Sequence, residues 1–169
     1  MATTDVSICS NALLLIGHGT IASFTEGGAG AEVASNLYPT TYENILSLHR
    51  WRFASAKAQL SQLVADPLNE WTHAYQLPSG YLVAIKTYPD SDFEIYEDKL
   101  YSEARLPAYF IKTLEFALAA QFAIPVTSNK STGELYLSMY RDQLRKARYM
   151  DSQARPPSAI VDSPFTEVR

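Results

Sequence analysis

Apolar residues recur at helical spacing in four stretches of the chain, and the interval in the middle follows a different pattern. Val6, Ile8, Cys9, Ala12, Leu13 and Ile16 fall on one face of a helix. Thr4 and Asp5 stand ahead of them as caps and Gly17 follows, so the spacing predicts a helix over about 4–16. Gly27, Gly28 and Gly30 then form a flexible lead into a second helix over about 29–51. Its apolar face is Val33, Leu37, Tyr38, Tyr42, Ile45, Leu46 and His49. Pro39 lies inside this run and predicts a kink or a break there.

Between about 53 and 103 the helical period fades. Residues 53–63 favour a strand over a helix, and 71–77, 81–88 and 93–102 are stronger strand candidates. These segments are rich in aromatic and β-branched residues, and Pro-Ser-Gly and Pro-Asp-Ser-Asp punctuate them. The run from Phe93 to Tyr101 reads as a hairpin turning at Glu97-Asp98-Lys99.

Helical spacing returns after Pro107. Residues 108–124 are apolar almost all round, which marks a central helix, and Pro125 is expected to close it. A last helix is expected from Ser131 or Thr132 to about 152, with Leu135, Leu137, Met139, Leu144 and Ala147 among its apolar positions. The remaining residues hold Pro156, Pro157 and Pro164 and cannot continue a helix. The fold class is therefore α+β. It is mainly an α-helical bundle with a small antiparallel β-sheet insertion and an extended C-terminal tail. Residues 1–155 form the domain and 156–169 the tail.

The tail is more than a polar terminus. Ile160, Val161, Phe165 and Val168 are apolar groups without a local partner, spaced along extended backbone. Such a segment can lie on another subunit as an added strand, and a frayed terminus is the plainer alternative. Pro157, Ile160, Val161, Pro164, Phe165 and Val168 are the candidate docking residues.

Composition narrows the function. At 169 residues, 47% hydrophobic and 19% charged, the chain has the makings of a single packed domain. A net charge of -4 argues against a dedicated nucleic-acid binder. The single cysteine, Cys9, excludes a disulfide framework and a cysteine-rich zinc site, and it is expected to be buried. The N-terminal residues lack the pattern of a secretory signal, and the unbroken apolar runs are too short to span a bilayer. A soluble protein from a reducing compartment is expected.

Catalytic signals are weak. His18, His49 and His73 lie far apart in different elements, so no metal site is expected, and His49 reads as a half-buried packing residue. Gly27-Gly28-Ala29-Gly30 lacks the lysine of a phosphate loop, and no cofactor is expected. Asp90, Asp92, Glu94, Glu97, Asp98 and Glu103 cluster near the expected hairpin. Two of them could serve glycoside hydrolysis, whereas a solvated strand face explains them all. Arg141, Arg145, Lys146 and Arg148 on the last helix are candidate charges for a neighbouring subunit or for DNA. The eleven tyrosines suit both core and interface.

The order of several short segments carries a likeness. Asn11-Ala12-Leu13 and Leu15-Ile16-Gly17 precede Ile21-Ala22-Ser23-Phe24. Ala31-Glu32, Tyr38-Pro39 and Leu46 lead to His49-Arg50-Trp51-Arg52-Phe53-Ala54. Trp71, Ala74-Tyr75-Gln76-Leu77-Pro78, the strand from Leu82 to Lys86, Tyr96-Glu97, Leu100-Tyr101, Gln143 and Ala147 follow. Across residues 4–153 the chain resembles the tail tubular protein A family, the head-to-tail adaptors of tailed bacteriophages. The resemblance implies a non-enzymatic virion protein at the head–tail interface, made in the host bacterial cytoplasm. It implies a helical bundle with a small β part, assembled as a homo-oligomeric ring, commonly a dodecamer, beneath the portal protein. A tail nozzle or a further adaptor ring would be the partner below. Genome DNA would pass through the channel without sequence-specific binding, and no membrane is involved. Related adaptors insert a C-terminal arm into the portal, which gives the tail a partner. The alternative is a peptidoglycan-degrading virion glycosidase using the hairpin carboxylates.

Overall fold

A computed structural model describes residues 4–64, 75–76, 82, 94–98 and 106–153, with backbone alone at 56–59 and 94–98. The expected tail and most of the expected β part lie outside these residues. Among the described residues four helices dominate: α1 (Asp5–Leu15), α2 (Ala29–Ser47), α3 (Ala108–Thr127) and α4 (Lys130–Gln153). The four strands among the described residues are short. β1 (Ser55–Gln59) pairs antiparallel with β4 (Glu94–Asp98), and β2 (Ser61–Gln62) with β3 (Tyr75–Gln76). The architecture is a helical bundle with a small antiparallel β part, as the hydrophobic pattern predicted.

The helix ends follow from local chemistry. Thr4 caps α1 through a reciprocal box: its Oγ1 accepts from the Ser7 N–H at 3.2 Å, and its own N–H donates to Ser7 Oγ at 2.9 Å. At the other end Gly17 takes φ +81°. The His18 N–H then reaches the Leu13 carbonyl and the Gly17 N–H the Leu14 carbonyl, a Schellman closure that a residue with a Cβ would strain.

At two prolines the helix continues where a break or an end was among the expectations. α2 runs through Pro39 without a break, and α3 continues past Pro125 to Thr127. A proline leaves the carbonyl four residues earlier without its helical donor. Here those carbonyls belong to Ser35 and Gln121, and both residues, like both prolines, are exposed, so water can take the acceptor. α3 finally stops where Ser128 adopts a left-handed φ of 55° and the Asn129 N–H turns back to the Ala123 carbonyl.

The hairpin expected at Glu97-Asp98-Lys99 does not form. Residues 94–98 are one continuous strand, with Glu97 opposite Ala56 and Asp98 opposite Ser55. The expected turn lacks the glycine or asparagine that a tight hairpin requires, so the strand runs on to a distant partner.

α3 is the centre. It packs against α1, α2 and α4, and Phe110, Leu114, Leu118, Ala119, Phe122 and Ala123 are fully buried. Unlike the short apolar runs considered above, this helix of 20 residues is long and apolar enough to cross a membrane by length and composition. Its three packed neighbours give the apolar residues their burial instead.

The apolar positions named on α4 divide between its two sides. Leu135, Leu137 and Met139 are exposed. The helix instead turns Gly133, Tyr136, Tyr140, Leu144, Ala147 and Asp151 inward. Small residues decide this choice: a Cβ at Gly133 would sit 3.4 Å from the Ala120 carbonyl oxygen and 3.5 Å from the Ala123 Cβ, so the two helices approach closely only on that face.

Candidate functional site

The segment after α2 closes the end of the bundle. α2 stops at Ser47, short of the expected Trp51, and leaves its last carbonyls to be satisfied. Leu48 N–H donates to Asn44. The Trp51 indole N–H donates to the Ile45 carbonyl at 2.9 Å, and an Arg148 Nη donates to the Leu48 carbonyl at 3.0 Å. A cation at this pole also suits the helix dipole. Trp51 is buried with its ring against Phe110 (centroids 5.1 Å apart), Phe53 (5.8 Å) and Tyr109 (6.4 Å). The His49-Arg50-Trp51-Arg52-Phe53 segment is therefore a plug over the helix end.

Asp151 is the polar centre of that plug and was not among the residues singled out from the sequence. It is 1% exposed. Its carboxylate accepts from the Arg52 backbone N–H at 3.1 Å and from the Tyr109 hydroxyl at 2.8 Å, with His49 Nε2 at 3.7 Å. Burial, then the hydrogen bond to Asp151, push the Tyr109 hydroxyl above its ordinary range. Burial lowers the His49 pKa more than Asp151 raises it, so His49 is neutral at pH 7 and the close approach is not an ion pair there. The trio looks like a relay, but Tyr109 is locked as a donor and the carboxylate is occupied by structural donors. Its chemistry is cohesion.

A second buried carboxylate ties α1 to α3. Glu115 accepts from Asn11 Nδ2 at 2.8 Å and from Lys112 Nζ at 2.9 Å. Ser10 joins α1 to the following loop through Ile21, and Tyr136 donates to the Leu15 carbonyl at 2.6 Å. Cys9 is buried as expected, and desolvation, with Asp5 nearby, pushes its thiol up to about 12, leaving it unreactive.

The candidate residues are placed as follows. Arg141 and Lys146 are exposed, and Arg145 is exposed while pairing with Asp142 at 3.2 Å. Arg148 turns inward to α2. Glu94, Glu97 and Asp98 lie in β4, whereas Asp90, Asp92, Glu103 and His73 lie outside the described residues. Pro157, Ile160, Val161, Pro164, Phe165 and Val168 lie outside them too. Among the described residues no group of histidine, cysteine and acidic side chains could hold a metal ion. Gly28 starts α2 with φ +139°, the flexible lead expected of the glycine run.

Two surfaces stand out. The outer side of α4 carries Leu135, Met139, Tyr149 and Met150, each at least 39% exposed, beside Arg141, Arg145 and Lys146. On the α1–α2 side, Phe24, Tyr38, Pro39 and Tyr42 line an open concavity of about 360 Å³ that includes Asp5 and Glu43. No family model and no curated protein matches the chain.

Proposed function

We propose that this protein is a structural head-to-tail adaptor of a tailed bacteriophage. Copies form a ring beneath the portal protein, extend the DNA channel and attach the nozzle or tail. The observation that carries the reading is the outer side of α4, where four large apolar side chains stand in water among cations. A helix that has already filled its inner face has no fold-based use for them, and large apolar groups exposed beside charged residues mark contact surfaces. The bundle with a small antiparallel β part also agrees with the architecture that the resemblance implies. The role requires rigid lateral faces and no catalysis. The tail from Pro157 to Val168 serves as the arm toward the portal, and many weak arms on one ring gain avidity. The net charge of -4 disfavours adhesion to passing DNA.

Native mass spectrometry of the protein, alone and with the portal ring of the same phage, tests this. A multi-copy collar on the portal is expected, and removing residues 158–169 should abolish it. No association with the portal ring overturns the adaptor reading. An unchanged collar without the tail overturns the arm.

A further inference from the structure

The two exposed surfaces have opposite charge and matching relief. No lysine or arginine precedes Arg50, so the α1–α2 half carries only the carboxylates Asp5, Glu26, Glu32 and Glu43. Glu26 is spent on the loop N–H groups of Ala22 and Ser23, whereas Glu32 and Glu43 stand exposed on α2. Between these two, the exposed positions of α2 are small or flat: Ser35, Asn36, Pro39 and Thr40. Beside them opens the concavity floored by Phe24, Tyr38, Pro39 and Tyr42.

The outer side of α4 is the converse. Leu135, Met139, Tyr149 and Met150 form a ridge one side of the helix presents, since they recur at three- and four-residue steps with Asp142 and Lys146 between. Arg141 and Arg145 flank the ridge. Arg141, Arg145 and Lys146 outnumber the exposed carboxylates Glu134 and Asp142 on this side of α4, and Asp142 pairs with Arg145. A DNA backbone would match the charge and leave the apolar ridge wet, so a protein surface with an apolar floor is the better fit. The acidic, concave α1–α2 side of another copy supplies both.

We infer that neighbouring copies join head to tail, with the outer ridge of α4 of one copy seated on the α1–α2 concavity of the next, and with Arg141, Arg145 and Lys146 facing Glu32 and Glu43. Within one copy the two surfaces belong to different elements, one to α2 with the loop at Phe24 and the other to the outer side of α4. A contact between two different surfaces is heterologous and closes into a ring when the rotation per copy divides a full turn. Ring closure rests on the adaptor reading; the pairing itself does not.

The test uses two charge reversals in the full chain. One carries Glu32→Lys with Glu43→Lys. The other carries Arg141→Glu, Arg145→Glu and Lys146→Glu. All replaced side chains are exposed, and circular dichroism checks the fold. Each variant alone should self-associate about ten-fold more weakly than the wild type, in solution or as a collar on the portal ring, and mixing the two should restore association. Zero-length carbodiimide coupling of isotope-labelled and unlabelled wild type should join Lys146 of one copy to Glu32 or Glu43 of the other. Self-association indifferent to both reversals overturns the pairing, as does its complete absence in solution and on the portal. Coupling of Lys146 to portal subunits alone, or duplex-DNA binding lost with the α4 reversal, also overturns it. A normal collar from both variants refutes this interface and leaves the adaptor reading standing. Charge-dependent self-association with an unoccupied portal ring does the reverse.

Discussion

The two ends of α4 are held by different physics. Near its N-terminus, Gly133 lets the helix press onto Ala120 and Ala123 of α3, and the contact is almost wholly steric. Near its C-terminus, Asp151 draws in a backbone N–H and a histidine from the segment after α2 and a tyrosine hydroxyl from α3. The first end depends on absence of volume and tolerates little gain. The second depends on satisfied polar groups and tolerates little loss. One helix is thus indexed on the bundle by shape at one end and by hydrogen bonds at the other, which frees its outer side from any duty to the fold.

Breaking the polar end should cost the most. Asp151→Ala removes the acceptor for the Arg52 N–H and Tyr109 hydroxyl inside a closed site and is expected to destabilise by about 3 kcal/mol, measured by urea unfolding. A loss under about 1 kcal/mol would show that water replaces the carboxylate, and the end would not be a lock. Gly133→Leu attacks the other end by overfilling it, with an expected loss of about 2 kcal/mol. If it unfolds no sooner than wild type, the helices do not approach as closely as described. Tyr109→Phe deletes one donor while keeping the ring and should cost about 1 kcal/mol. Gly133→Ala sharpens the steric side with the opposite sign. The added Cβ meets its neighbours at 3.4 Å or more, and alanine is the better helix former, so a gain of about 0.5 kcal/mol is expected. A loss instead would mean that the contact has no slack.

How much of this was legible follows the same division. Period 3.6 located all four helices, because α1, α2 and α3 bury residues that repeat along the sequence. On α4 it did not single out the inner face, because Leu135, Leu137 and Met139 are exposed while Leu144 and Ala147 turn inward. That face is built from glycine, alanine and tyrosine, whose value lies in size and in a hydroxyl at the right height. One signal was available: Asp151 continues the steps of Gly133, Tyr136, Tyr140, Leu144 and Ala147, and a carboxylate on such a stripe marks a buried polar centre. The break allowed for at Pro39 and the end expected at Pro125 are absent because both prolines face water, which can take the freed carbonyl. Trp51 could not be placed by period, since its role is to donate across the end of α2 rather than to continue it.

The smallest effect concerns pH and isolates His49 within the polar end. Three groups face it: the Trp51 ring edge at 4.9 Å between centroids, the Asp151 carboxylate, and the Arg148 guanidinium, which disfavours its charge. Desolvation is the largest influence, so the folded protein holds His49 below its ordinary pKa of 6.5. The unfolded chain therefore binds the proton more readily, and stability is fully present above about pH 6.5 and declines as pH falls through the window between the unfolded and folded values. His49→Phe keeps a ring against Trp51 and removes the titration. Unfolding midpoints measured from pH 7.5 down to pH 5 should fall for the wild type and fall less for the variant, a difference confined to that window. Identical profiles would show that the imidazole takes its proton as easily folded as unfolded. Asp151 would then be balancing the cost of burying the charge, and the polar end of α4 would hold an ion pair at low pH.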